Sequence, residues 1–290
     1  MLFFLGFSLQ ASQEKLAELG ARFENEAIIF DAKWQGKSAD LQLLESLNGY
    51  KELYFLNAPI SDEDVQNLVN LTWLETLALR HLKISDQALK NIGNMKKIKL
   101  LSVASCPQIK GSGLAYVAQS KSIIHLHLPH QYLDDKDVAP LEKMIQIEYL
   151  SLHSNEITTA AIKHFRNMKK LTWLFLKEVD VAVEDCHYIA DLSSLRELSL
   201  TFMKLDGRHL KILSSLPILE VLRIRDTTVS DEDLKLISNF KALNYLQLKG
   251  KKNSYTNEAI TWLKTNCPQV KISPAPGYNP QLRSPVKKVK

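Results

Sequence analysis

Residues 74–95 read LETLALRHLKISDQALKNIGNM. The hydrophobic period changes inside this stretch. Leu77 and Leu79 alternate with polar or small neighbours, which is the period-2 mark of a short strand with one face buried. Ile84-Ser85-Asp86 follows, and Ser or Asp at such a point accepts hydrogen bonds from the free N–H groups of a helix start. Leu89, Ile92 and Met95 then recur at spacings of three, one buried face of a short helix. The stretch therefore spells strand, turn, helix. So short a unit cannot bury its own apolar faces, and it must stack against copies of itself.

Those copies are present. IEYLSLHSNEITTAAIKHFRNM starts at Ile147 and LEVLRIRDTTVSDEDLKLISNF at Leu219. Aligning on the first apolar residue gives starts at Tyr50, Leu74, Ile98, Ile123, Ile147, Leu171, Leu195, Leu219 and Leu243, a period of 24 with one of 25. Three positions on, every row carries leucine: Leu53, Leu77, Leu101, Leu126, Leu150, Leu174, Leu198, Leu222 and Leu246. Helix-start triplets recur as Ile60-Ser61-Asp62, Ile157-Thr158-Thr159 and Val229-Ser230-Asp231, and the helical face recurs as Leu210, Leu213 and Leu216.

The rows resemble leucine-rich repeats, with their pattern L-x-x-L-x-L-x-x-N/C-x-L. Ile147, Leu150, Leu152, Asn155 and Ile157 fit it throughout, and Cys106 takes the Asn/Cys position of its own row. The other rows place residues such as Ala58, Gln131, Met203 or Lys251 there. The helix start and the constant length are most similar to the bacterial class of these repeats. The resemblance covers about residues 23–272. It implies an α/β fold, a leucine-rich-repeat solenoid: a curved right-handed superhelix with a parallel sheet on its concave face and short helices on its convex face. Residues 1–49 read as an N-terminal cap with a degenerate first repeat, 50–272 as nine repeats, and 273–290 as a disordered basic tail. Some repeat relatives act as adaptors in ubiquitin transfer, but the segment before the repeats does not provide an F-box-like helical bundle.

Bulk properties narrow the function classes. Lys271, Arg283, Lys287, Lys288 and Lys290, with no acid among residues 271–290, supply the whole formal charge of +5. Residues 1–270 are therefore electrically balanced, and nucleic acid is not an expected partner. Cys106, Cys186 and Cys267 lie far apart, form no CxxC pair, and read as packing or backbone-facing residues. The apolar start with Leu2, Phe3, Phe4 and Phe7 has no basic n-region. It reads as part of the cap, with membrane anchoring or export through it as the alternative. The expected compartment is the cytoplasm, with an exported or membrane-anchored protein as the alternative.

Function must then be sought in side chains that the core does not need. Residues flanking the buried leucines of each strand point to the opposite face of the sheet. The fourth row offers His125 and His127, the fifth Tyr149 and His153, the sixth Trp173 and Phe175. Arg223, Arg225 and Lys249 follow two to three rows on. Aromatics and arginines on a surface are typical interface anchors. The expectation is a non-catalytic protein-interaction module or scaffold: a monomer that binds an unknown protein partner on its concave face through these nine residues, with no cofactor. The alternative is a metal-dependent or hydrolytic site at the cluster His125, His127 and His153.

Overall fold

The computed structural model describes residues 9–179, 181–249 and 255–273. The apolar start and the basic tail beyond Ser273 lie outside the described residues. The chain divides into two compact units, Met1–Gln131 and Tyr132–Lys290.

In the first unit a helix, Leu9–Glu18, precedes an antiparallel pair, β1 Arg22–Glu24 and β2 Ala27–Asp31. From β2 onward every pairing is parallel and steps one row at a time: β3 Glu52–Leu56, β4 Thr76–Arg80, β5 Leu100–Ala104 and β6 His125–His127. The second unit continues the pattern with β7 Tyr149–Ser151, β8 Trp173–Lys177, β9 Glu197–Thr201, β10 Val221–Arg225, β11 Tyr245–Lys249 and β12 Lys271–Ser273. Equivalent residues pair in register, as Leu53 with Leu77 and Leu198 with Leu222. All nine leucines of the invariant column are 0% exposed. At about 25 cal/mol per Å² of apolar surface, that column and the one two residues on dominate the stabilisation. No helix among the described residues is long and apolar enough to cross a membrane.

Three features go beyond the repeat pattern. First, much of the side opposite the strands is 3-10 helix, as at Asp86–Leu89 and Ile92–Asn94, rather than one α-helix per row. Rows follow one another at the strand spacing of about 4.8 Å, while an α-helix with its side chains is about 10 Å across. The tighter 3-10 turn is the slimmer way to fill a row.

Second, the strands β3 to β10 are each followed by a left-handed residue at one position of the row. Asn57, His81, Ser105, His130, Ser154, Glu178, Phe202 and Asp226 all have φ between +54° and +63° and occupy one position of successive rows. Their N–H groups prolong the ladder, as from His81 to Ala104 O at 2.9 Å and from Phe202 to Arg225 O at 2.8 Å. Asn, Asp, His and Ser suit that conformation; a bulky aromatic does not.

Third, the aspartates that follow the N-cap residues bind forward to the next row, while Ser61, Asp134 and Ser230 cap the helices themselves. Asp62 accepts from Ser85 N at 2.7 Å and Ser85 Oγ at 2.5 Å. Asp135 does the same with Thr158 at 2.7 and 2.6 Å, and Asp231 takes Thr256 Oγ1 at 2.5 Å. At the Asn/Cys position, Asn155 accepts from Leu133 N at 3.2 Å and donates to Leu152 O at 2.9 Å. Gln131 Oε1 accepts from Cys106 N at 3.2 Å, so glutamine bridges rows there as asparagine does. The three cysteines are free and buried. Burial pushes the Cys106 thiol up to about 11 and the Cys186 thiol up to about 12.

Candidate interaction surface

The sheet face is less open than strand alternation alone predicts. Tyr54, Ala78 and Ser102 are 0% exposed, although all three point away from the leucine core. With strands about 4.8 Å apart, each side chain on that face is roofed by its neighbours. Only groups at the rim of this second layer reach water.

In the first unit His125 and His127 of β6 are half-buried. His127 Nδ1 lies 3.1 Å from Ser102 Oγ. In the second unit the half-buried His153 places Nδ1 2.8 Å from Ser151 Oγ. Ser102 and Ser151 are buried, so these contacts satisfy hydroxyls that water cannot reach. Among the described residues no three His, Cys, Asp or Glu side chains are placed to hold a metal ion.

An aromatic cluster forms on β7 and β8. Tyr149 lies 5.7 Å from Trp173 and 5.5 Å from Phe175 between ring centroids, and Trp173 lies 6.4 Å from Phe175. These are the offset and edge distances at which aromatic pairs attract. Tyr149 is buried as the base of the cluster, whereas Trp173 and Phe175 are half-buried and present their remaining surface to solvent.

The two arginines of β10 differ. Arg223 stacks over Phe175 at 5.9 Å and forms an ion pair with Glu197, which is 2% exposed. Burial pulls its guanidinium down to about 10, the nearby Tyr245 and Tyr149 opposing and Arg225 adding to the effect. Arg223 is thus a buried strut under the aromatic cluster, not the exposed cation that its sequence position predicts. Arg225 is half-buried, its Nε is enclosed without a hydrogen bond, and it has no carboxylate partner among the described residues. Lys249 belongs to β11, paired with Arg225 along the backbone; its side chain lies outside the described residues.

Phe202 completes the rim. It is 44% exposed, with Lys177 Nζ 5.0 Å above its ring and Lys177 also bonded to Glu178 at 3.1 Å. Reading the strand columns misses Phe202, because it sits one residue past the strand. Its signal lies in the left-handed column, where it is the one aromatic among polar residues. Glu197 is missed for another reason: its carboxylate crosses to the adjacent column of the next row.

Parallel rows in register, with buried leucine columns, row-bridging side chains and a repeated left-handed turn, fix the architecture. The chain is a leucine-rich-repeat protein. Solved structures agree: internalin C2 of Listeria monocytogenes superposes with a TM-score of 0.55 at 27% identity, over 73% of this chain and 84% of that one. Internalin F of the same organism gives 0.54 at 22%, over 82% and 70%. The Arabidopsis receptor kinase HAESA, solved with the peptide hormone IDA and the co-receptor SERK1, gives 0.50 at 17%, over 71% and 36%. No family model matches, and no curated protein matches. Each unit of this leucine-rich-repeat protein has the α/β build of that fold, which it shares with these bacterial internalins.

Proposed function

We propose that the protein is a non-catalytic recognition module, acting as a monomer or as the scaffold for an assembly, and that a protein partner seats on the sheet face of the second unit. The observation that carries this reading is the pair of half-buried rings Trp173 and Phe175 on the outer face of the sheet, with the exposed Phe202 beside Arg225 farther along that face. Leu171, Leu174 and Leu176 already fill the core of that row, so the leucine core does not require Trp173 and Phe175 on its outer face, although Phe175 also stacks on Arg223. Partly exposed aromatics, and an arginine with no carboxylate partner among the described residues, are the side chains from which binding hot spots are drawn. A partner would cover the rings and bring a counter-charge to Arg225. Likeness to leucine-rich-repeat proteins, one of them a receptor kinase solved with a peptide hormone and a co-receptor, supports protein as the kind of partner.

Catalysis at the histidines fits less well. A nucleophilic serine must reach its substrate, and Ser102 and Ser151 are buried. His125 and His127 are instead read as contact residues of the first unit, and His153 as one of the second.

The test is site-specific photo-cross-linking in the cell of origin. A photoreactive amino acid at Phe175 should cross-link one discrete protein, and the same group at Lys211 on the helical side should not. Cross-linking at Lys211 with none at Phe175 would move the contact surface to the other side.

A further inference from the structure

Arg80 closes β4 on the sheet face of the first unit, far along the chain from the residues assigned above. Its register neighbours are Leu56 of β3 and Ala104 of β5, neither of which carries charge. The Tyr54 hydroxyl beside it already donates to Glu52 at 2.9 Å. Nε of Arg80 is buried and makes no hydrogen bond, and the residue is only partly exposed. Burial also pulls its guanidinium below the ordinary arginine range, with Tyr54 opposing.

Several other arginines have carboxylates, whereas Arg225, which ends its strand as Arg80 does, has none among the described residues. Arg22 meets Glu24 and Asp31, Arg196 meets Glu220, Arg208 meets Asp206, and Arg223 meets Glu197. A desolvated charge without a partner costs stability, and proteins pair such charges or expose them. Arg80 is neither fully exposed nor paired among the described residues.

We infer that Arg80 is a binding site for a carboxylate carried on an alkyl arm, such as a glutamate side chain of a protein ligand. The planar guanidinium fork matches a carboxylate, and Leu56 and Ala104 on either side suit the methylene groups behind it. A single cation with apolar flanks suits a monovalent group better than a phosphate, which calls for several donors. Only the source of the carboxylate rests on the recognition reading above. The site itself does not use the aromatic rim of the second unit.

The experiment follows the Arg80 Nε–H resonance of the full chain by NMR, assigned by its loss in Arg80→Lys. Propionate, inorganic phosphate and sodium chloride are titrated at equal ionic strength. Propionate should shift that resonance saturably, half-complete at about 10–100 mM as fits a single ion pair, in the parent and equally in Trp173→Ser/Phe175→Ser. Phosphate and chloride should not. Without ligand, Arg80→Met should melt at or above the parent temperature, because it removes a partly desolvated charge that has no ion-pair partner among the described residues. A shift with phosphate but not propionate, no saturable shift at all, or a melting temperature of Arg80→Met several degrees below the parent would each overturn the assignment. Loss of partner binding in the Trp173/Phe175 variant would leave it standing.

Discussion

Arg223 and Arg225 are two residues apart on one strand and have opposite energetic roles. Arg223 has left water to pair with Glu197, which is itself 2% exposed. Arg223→Ala strands that carboxylate and should destabilise the protein by about 3–5 kcal/mol, the cost of breaking one side of a buried ion pair. Arg223→Met with Glu197→Leu should recover most of the loss, since both charges go together. Arg225→Ala breaks no ion pair and should change stability by less than about 1 kcal/mol, while weakening partner binding. Chemical denaturation of the three variants checks this; equal losses for the two single arginine variants would contradict it. Sequence position alone makes these arginines look alike. The Glu197 pairing depends on which neighbouring side chain roofs which, and strand alternation does not encode that. The leucine columns are different, because one residue type recurs at a fixed spacing and burial leaves it a single interpretation. Leu174→Ala should cost about 2–5 kcal/mol in the same assay.

The rows themselves are legible from Leu74–Met95 outward, because the strand and the cap each need particular residue types at particular steps. Two element-level facts are less legible. A run of apolar residues at spacings of three fits a 3-10 turn as readily as an α-helix, so the sequence does not distinguish them. The aspartate after each cap looks like a helix-start residue, yet Asp62 also holds the next row through Ser85. Asp62→Ala should therefore cost about 1–3 kcal/mol, as hydrogen bonds to a charged acceptor do, and more than a cap substitution on an exposed helix. Asp62→Asn keeps one acceptor oxygen and should lose less. If Asp62→Ala and Asp62→Asn melt like the parent, the row-to-row bond contributes nothing. The left-handed turn after each strand is legible only in hindsight: Asn57, His81, Ser105 and Asp226 tolerate it, and Phe202 shows where tolerance yields to another demand.

At the scale of the whole molecule, the three thiols report on how each unit opens. Cys106 belongs to the first unit, Cys186 and Cys267 to the second. Cys106 and Cys186 have thiol pKa values raised by burial to about 11 and about 12, so both are protonated at pH 8 and shielded as well. A disulfide reagent at that pH should find no fast-reacting thiol in the native protein, and labelling should rise only with denaturant, as the units open. Fast stoichiometric labelling without denaturant would mean that a row is already loose. Function at this scale is the least legible part: the repeat specifies a scaffold, and a scaffold carries whatever its outer side chains recognise. The claim that matters most is that this recognition runs through Trp173 and Phe175. It is tested by titrating the partner identified through the Phe175 cross-link against the parent and against Trp173→Ser/Phe175→Ser. The two proteins should have identical circular dichroism, since the leucine core of that row is unchanged, and the variant should bind at least about thirtyfold more weakly, the scale of a hot-spot pair. Equal affinity of the two proteins would contradict the proposal.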